Sequence, residues 1–281
     1  AKLTAAGVPD ARFDAAELYR LATGRDPRLD DGPSAAEAAR LSALAERRAA
    51  REPLQYILGE WDFMDFTLKV GPGVLCPRAD SEIVCESALA LLQGREQPVV
   101  YDLCAGTGCL GLGIARHSPG ALVTCVEKSP EAWHYLTANT AQTGVRTVQA
   151  DVFTYYKTLP AEGADLIISN PPYLTGAEMR ALMPETAQEP AMALDGGTDG
   201  LDFYRLLTES TGTPCGRAAG LCWRSAMPKA PPCWRWGPPA AGSTPAAART
   251  TAAMTGPCCS KNPKKLLKIR FMGQKTHNKM L

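Results

Sequence analysis

Asn170-Pro171-Pro172-Tyr173 is the stretch whose residue types and order could do chemistry. A proline has no N–H, and the residue ahead of a proline is driven to extended geometry. The result is a stiff tip offering an amide, two backbone carbonyls without competing donors, and an aromatic ring. Together these can hold a planar –NH2 group. The Asn170 Oδ1 and the Pro171 carbonyl accept its two hydrogens, Pro172 stiffens the corner, and Tyr173 stacks on the amide plane. Taken alone, the four residues serve equally well as a proline turn that ends a strand.

A second set of residues could hold a cofactor. In Asp102-Leu-Cys-Ala105-Gly106-Thr107-Gly108-Cys109 the glycines let backbone approach a ligand, and a helix opening directly afterwards aims its N–H groups at it. Glu127 offers a carboxylate to both ribose hydroxyls of an adenosine. Asp151 is in reach of an adenine edge, and Val152 can cover the ring. With Asn170, these residues end four successive runs that read as strands, an order that chance polar strand ends explain poorly. Gly106-x-Gly108-x-x-Gly111 also fits a dinucleotide turn. Hydride transfer, however, gives no task to Asp102 or to Asn-Pro-Pro-Tyr, whereas methyl transfer employs both.

The elements that must position these residues follow from periodicity. Leu18, Leu21 and Ala22, then Leu41, Leu44 and Ala45, recur at helical spacing within 1–50, and Ser34 with Glu37 predicts a capping box. Phe66, Leu68 and Val70 alternate as in a strand, which places a β-hairpin within 51–78. A helix is expected from Asp80 to about Leu92. From Pro98 onward strand, turn and helix alternate: strands at 99–103, 121–127, 145–150 and 165–169, helices at 110–116 and from Ser129 to about Gln142. This alternation predicts an α/β, doubly wound, mostly parallel sheet binding ligands at its carboxyl ends.

Composition sets the limits. No run approaches the length of a membrane span, and Ala-Lys-Leu-Thr-Ala-Ala-Gly lacks a signal-peptide core, so a cytoplasmic location without membrane contact is expected. The ten cysteines show no metal-type pairing and read as free thiols. His117, His134 and His277 lack partners at ligand spacing, and no metal is expected. All 29 acidic residues fall within 1–210, while 211–281 holds 12 Lys and Arg. The first part is therefore acidic, which argues against a nucleic-acid groove.

The chain resembles the HemK/PrmC family of class I S-adenosylmethionine (SAM)-dependent methyltransferases over about 1–210. The resemblance rests on Arg51-Glu-Pro-Leu-Gln-Tyr-Ile-Leu-Gly59, on Val74-Leu-Cys-Pro-Arg-Ala-Asp-Ser-Glu82, on Asp102 to Gly108, on Asn170 to Tyr173, and on Glu189-Pro-Ala-Met-Ala-Leu-Asp-Gly-Gly-Thr-Asp-Gly-Leu-Asp-Phe-Tyr-Arg205. Ala79, Ser81 and Cys109 depart from the family pattern. The resemblance implies a seven-stranded Rossmann-like sheet and methylation of a glutamine side-chain amide in peptide chain release factors. It implies a substrate-recognising helical domain over 1–55, a hairpin linker over 56–80 and a catalytic domain over 81–210. A monomer is expected. An N6-adenine nucleic-acid methyltransferase and an inactive SAM-binding remnant are the alternatives.

Residues 211–281 read differently. Pro, Ala, Cys, Trp and Arg crowd 211–260 without periodicity. From Pro214 to Trp234, the third base of each codon joined to the first two of the next permits Leu-Arg-Pro-Gly-Gly-Arg-Leu-Val-Leu-Glu-Ile-Gly, the segment that the family has here. Cys222-Trp223 must give Leu, and Met227-Pro228 must give Ala. A frameshift between about Arg205 and Pro214 is therefore expected, leaving an aberrant basic tail, disordered or poorly packed, an unpaired edge on the fourth strand, and an inactive product.

Overall fold

The computed structural model describes residues 1–159, 163–209, 220–223 and 233–235, with 207–209 and the last two stretches as backbone only. Four helices open the chain: α1 (Lys2–Ala5), α2 (Ala11–Thr23), α3 (Ala35–Ala49) and α4 (Leu54–Leu58). Ser34 and Glu37 cap α3 reciprocally, each side chain accepting the other's backbone N–H. Leu3, Val8, Leu18, Leu54 and Ile57 form the core of this unit, with Leu21, Leu41 and Leu44 packed against it. A buried ion pair joins α2 to α3: the Arg48 Nε donates to Asp14 Oδ2 at 2.6 Å.

The hairpin is β1 (Glu60–Phe63) and β2 (Phe66–Lys69), antiparallel with Phe63 opposite Phe66. Then follow α5 (Ala79–Leu92), β3 (Val99–Leu103), α6 (Cys109–His117), β4 (Leu122–Glu127), α7 (Pro130–Thr140), β5 (Arg146–Gln149), α8 (Val152–Tyr155), β6 (Leu166–Ser169), α9 (Gly176–Met179), α10 (Asp202–Glu209), β7 (Gly220–Trp223) and β8 (Cys233–Arg235). The sheet runs β5-β4-β3-β6-β7-β8, parallel except for β8.

All four residues of β6 are buried, as a strand covered on both faces requires. Their alternation divides them between two cores. Leu166 and Ile168 join Val100, Val123, Cys125 and the helices α5 and α6, while Ile167 joins Leu103, Val126, Val152 and Leu206.

The expected unpaired edge on β6 is corrected by the structure. Gly220–Trp223 pairs with it in parallel, Leu166 opposite Gly220 and Ser169 opposite Trp223. Strand pairing is a backbone interaction, so an exposed edge accepts extended chain whose side chains carry no strand pattern. Among the described residues the main sheet thus has six strands, against the seven that the resemblance implies. The expectation of disorder for the rest of 211–281 lies outside the described residues.

Candidate active site

The chain leaves β3 for β4 and β5 on one side of the sheet and crosses to β6 and β7 on the other. The carboxyl ends of β3 and β6 therefore flank the switch point, where doubly wound sheets open a crevice. Here the structure has a cavity open to solvent, lined by residues from the ends of β3, β4, β5 and β6.

Its floor is the turn after β3. Cys104 (φ 63°), Gly106 (φ 57°) and Gly108 (φ 84°) take left-handed conformations that fold the chain back into α6. The Gly106 N–H donates to Glu127 Oε2 at 2.8 Å, and Glu127 Oε1 accepts the Lys128 and Ser129 N–H groups, each at 2.8 Å. Asp151 caps α8 by accepting the Phe153 N–H at 2.9 Å and pairs with Lys128 Nζ at 2.9 Å. The Lys128 ammonium holds the Asp151 carboxyl below its ordinary range.

Ala105, Gly106, Thr107, Cys109, Glu127, Asp151, Val152, Asn170 and Pro172 all line this cavity. Asp102 lies beneath the floor and is fully buried. Its Oδ2 accepts the Gly111 N–H at 2.9 Å, tying α6 to β3, and its Oδ1 has no protein partner. Burial pushes the Asp102 carboxyl up to about 7, against the lowering effect of the Gly111 bond, with the nearby Glu127 charge adding to the rise. Gly108 faces α7 instead of the cavity: a Cβ there would lie 2.8 Å from Leu136 Cδ1.

A second cavity adjoins the first and is lined by Leu75, Arg78, Asn170, Tyr173, Leu174, Thr186, Ala193 and Leu194. Asn170, Leu75 and Ala193 wall both. The Asn170 Oδ1 is buried with no hydrogen-bond partner in the protein. Tyr173 reaches only the second cavity. Its N–H donates to the Leu194 carbonyl at 3.2 Å, and a Cβ on Gly196 would come within 2.6 Å of its Cα, so glycine there lets the strap 194–196 back it closely. Pro171 is buried and lines neither cavity.

Several residues that border the site carry no local sequence signal. Ser81 is 1% exposed and lines the first cavity with its Oγ unpartnered. Glu189, also buried, accepts Arg78 Nη2 at 2.5 Å and the Cys76 N–H at 2.9 Å, joining two distant blocks of the chain across the cavity rim. Phe203 lines the cavity and packs edge-on against Phe153, ring centroids 4.9 Å apart. Their only signal is membership of the motif blocks quoted above. Among the described residues no cluster could hold a metal ion, and no helix is long and apolar enough to cross a membrane. Cys76, Cys85, Cys104, Cys109 and Cys125 are free.

Residues 1–59 match the PrmC N-terminal domain and residues 67–197 the methyltransferase small domain. The release factor glutamine methyltransferase of Geobacter sulfurreducens is 40% identical over 207 residues, 72% of either chain. That of Mycolicibacterium smegmatis is 44% identical over 212 residues, 73% of this chain and 74% of its own. A third, from Streptomyces coelicolor, is 37% identical over 208 residues, 73% of this chain and 74% of its own. A methyltransferase domain on a Rossmann-like sheet, joined to this N-terminal unit and matched over such a span, settles the family: the chain belongs to the release factor glutamine methyltransferases.

Proposed function

We propose that this chain methylates the side-chain amide nitrogen of a glutamine in a peptide chain release factor, with SAM as donor. The observation that carries the reading is Asn170, which lines both cavities and whose buried Oδ1 has no partner in the protein. A buried acceptor left unmade costs about 1–3 kcal/mol, so such an atom awaits a donor. A carboxamide –NH2 entering through the second cavity supplies one.

The residues of the first cavity fit SAM. The Gly106 turn admits a close approach, and Asp151 and Val152 flank the place for an adenine. Three of the roughly four lone-pair positions of the Glu127 carboxylate are taken by backbone N–H groups, which leaves room for a ribose hydroxyl. Bound there, SAM supplies an electrophilic methyl group on a sulfonium.

An amide nitrogen is a poor nucleophile because its lone pair is delocalised into the carbonyl, and a base acting first gains little. Asn170 Oδ1 takes one amide hydrogen and Tyr173, which lines the second cavity, fixes the amide plane, so that the lone pair points towards the first cavity. The Pro171 carbonyl expected to take the other hydrogen belongs to a buried residue that lines neither cavity and has no part in the hold. The nitrogen–carbon bond forms as the sulfur–carbon bond breaks. The nitrogen, then cationic, gives up its proton readily. Orientation is the main contribution, of the order of several kcal/mol, and the acceptor dipole stabilises charge developing on nitrogen.

In this reading 1–55 recognises the release factor, 56–80 links, 81–210 carries the chemistry, and the chain acts as a monomer in the cytoplasm. Incubation with labelled SAM and either a release factor or duplex DNA tests it. Label on one glutamine of the release factor is expected. Label in the DNA refutes the reading; label in neither, the outcome an inactivating frameshift would give, refutes it when the chain with its frame restored also transfers none.

A further inference from the structure

The short 3-10 turn Thr186–Gln188 is gripped at both ends by carboxylates that face opposite ways. Glu185 accepts Arg51 Nε on Oε1 at 2.6 Å and Arg51 Nη2 on Oε2 at 2.7 Å, a two-pronged pairing that fixes direction as well as distance. Arg48 Nη2 joins it at 2.8 Å, and Arg48 is itself buried on Asp14 within the N-terminal helices. Gln188 Nε2 adds a bond to the Arg51 carbonyl at 2.8 Å. At the other end Glu189 holds Arg78 and the Cys76 N–H in the loop ahead of α5.

What this strap carries is cavity wall. Thr186 lines the second cavity, Pro190 and Met192 the first, and Ala193 both. One anchor of the strap belongs to the helices of 1–55 and the other to the loop ahead of α5, so a shift of those helices reaches the cavity wall beside Asn170. Burial opposes the charge on Glu185, yet the bonds from Arg51 and Arg48 outweigh it and hold the carboxyl at about 2.

We propose that Glu185 is a positioning residue for methyl transfer, through which the N-terminal helices set the wall where the two cavities meet; this rests on the function proposed above. It touches neither substrate nor donor. Its effect belongs in turnover, not in SAM affinity.

The test uses the full chain and its Glu185→Gln variant, with Arg51→Lys as a milder variant should the first fold poorly. Amide hydrogen exchange is followed over 71–78 and 186–194, and turnover on a release factor is measured at saturating SAM. Faster exchange in both stretches is expected, with kcat lowered about tenfold and the SAM dissociation constant within about twofold. A purely structural contact lowers the melting temperature only. Exchange that quickens only at 184–188, or unchanged kcat in the folded variant, overturns the proposal. A wild-type chain that transfers no methyl group refutes the function reading instead, and the exchange arm still decides the coupling.

Discussion

The Gly106 N–H donates to Glu127 Oε2 at 2.8 Å, and this bond fastens the turn after β3 to the end of β4. The other oxygen holds the Lys128 and Ser129 N–H groups, so a single carboxylate shapes the floor and one wall of the first cavity. Such a site is set before a ligand arrives, which saves the cost of ordering it on binding.

Glu127→Ala removes the acceptor of three N–H groups at once. Hydrogen bonds to a charged group contribute about 1.5–3 kcal/mol each, so loss of even one bond's worth weakens SAM binding roughly tenfold or more. Calorimetric titration with SAM checks this. Unchanged affinity would contradict the role given to Glu127.

Asp102 imposes a pH dependence on stability. Its carboxyl sits near 7 in the fold, against an ordinary value of 3.8. Between those values the folded state binds more protons than the unfolded one, so stability falls as pH rises. The contribution is full below about 4 and is lost as pH rises through 7. Urea midpoints at pH 5 and pH 8 should fall for the wild type, and Asp102→Asn should flatten that difference.

At Gly111, α6 lies close against Cys125 of β4. A Cβ there would lie 2.3 Å from Cys125 Sγ and 3.2 Å from Asp102 Oδ2. Gly111→Ala should cost about 1–3 kcal/mol by overpacking. Adding Cys125→Ala makes room, and the double variant should recover part of the loss in a denaturant cycle.

Much of this architecture is legible in the sequence because it rests on local or periodic rules. The Ser34–Glu37 cap is a property of four residues, and the strand Leu166–Ser169 opens on a continuous apolar run that stops at a proline turn. The strand ends that carry Glu127 and Asn170 follow from the alternation of elements. What stayed hidden depends on distance along the chain. Glu185 and Glu189 meet Arg51, Arg48, Arg78 and Cys76 more than a hundred residues away, and no local pattern encodes such pairs. The tasks of Glu127 as a backbone acceptor and of Asp102 as a brace under the floor were hidden too, since both depend on which way an oxygen turns. The short helices Leu54–Leu58 and Val152–Tyr155 are below the length at which periodicity speaks. Pairing of Gly220–Trp223 came from a vacant edge and not from the strand's own residues.

The frame of the coding sequence yields a further prediction. If the frame shifts between the codons for Arg205 and Pro214, as expected, restoring it would allow a Leu-Val-Leu-Glu-Ile-Gly strand, whose apolar residues suit a position beside β6. The restored chain should melt at a higher temperature and turn over faster than the one described here. Equal stability and activity would show that the basic tail is a genuine part of the protein.

The most direct measurement is Asn170→Ala assayed for both SAM binding and methyl transfer to a release factor. Turnover should fall about a hundredfold or more, while the SAM dissociation constant stays within about threefold. Retained turnover, or a loss of SAM affinity equal to the loss of rate, would contradict the claim that Asn170 holds the amide where the two cavities meet.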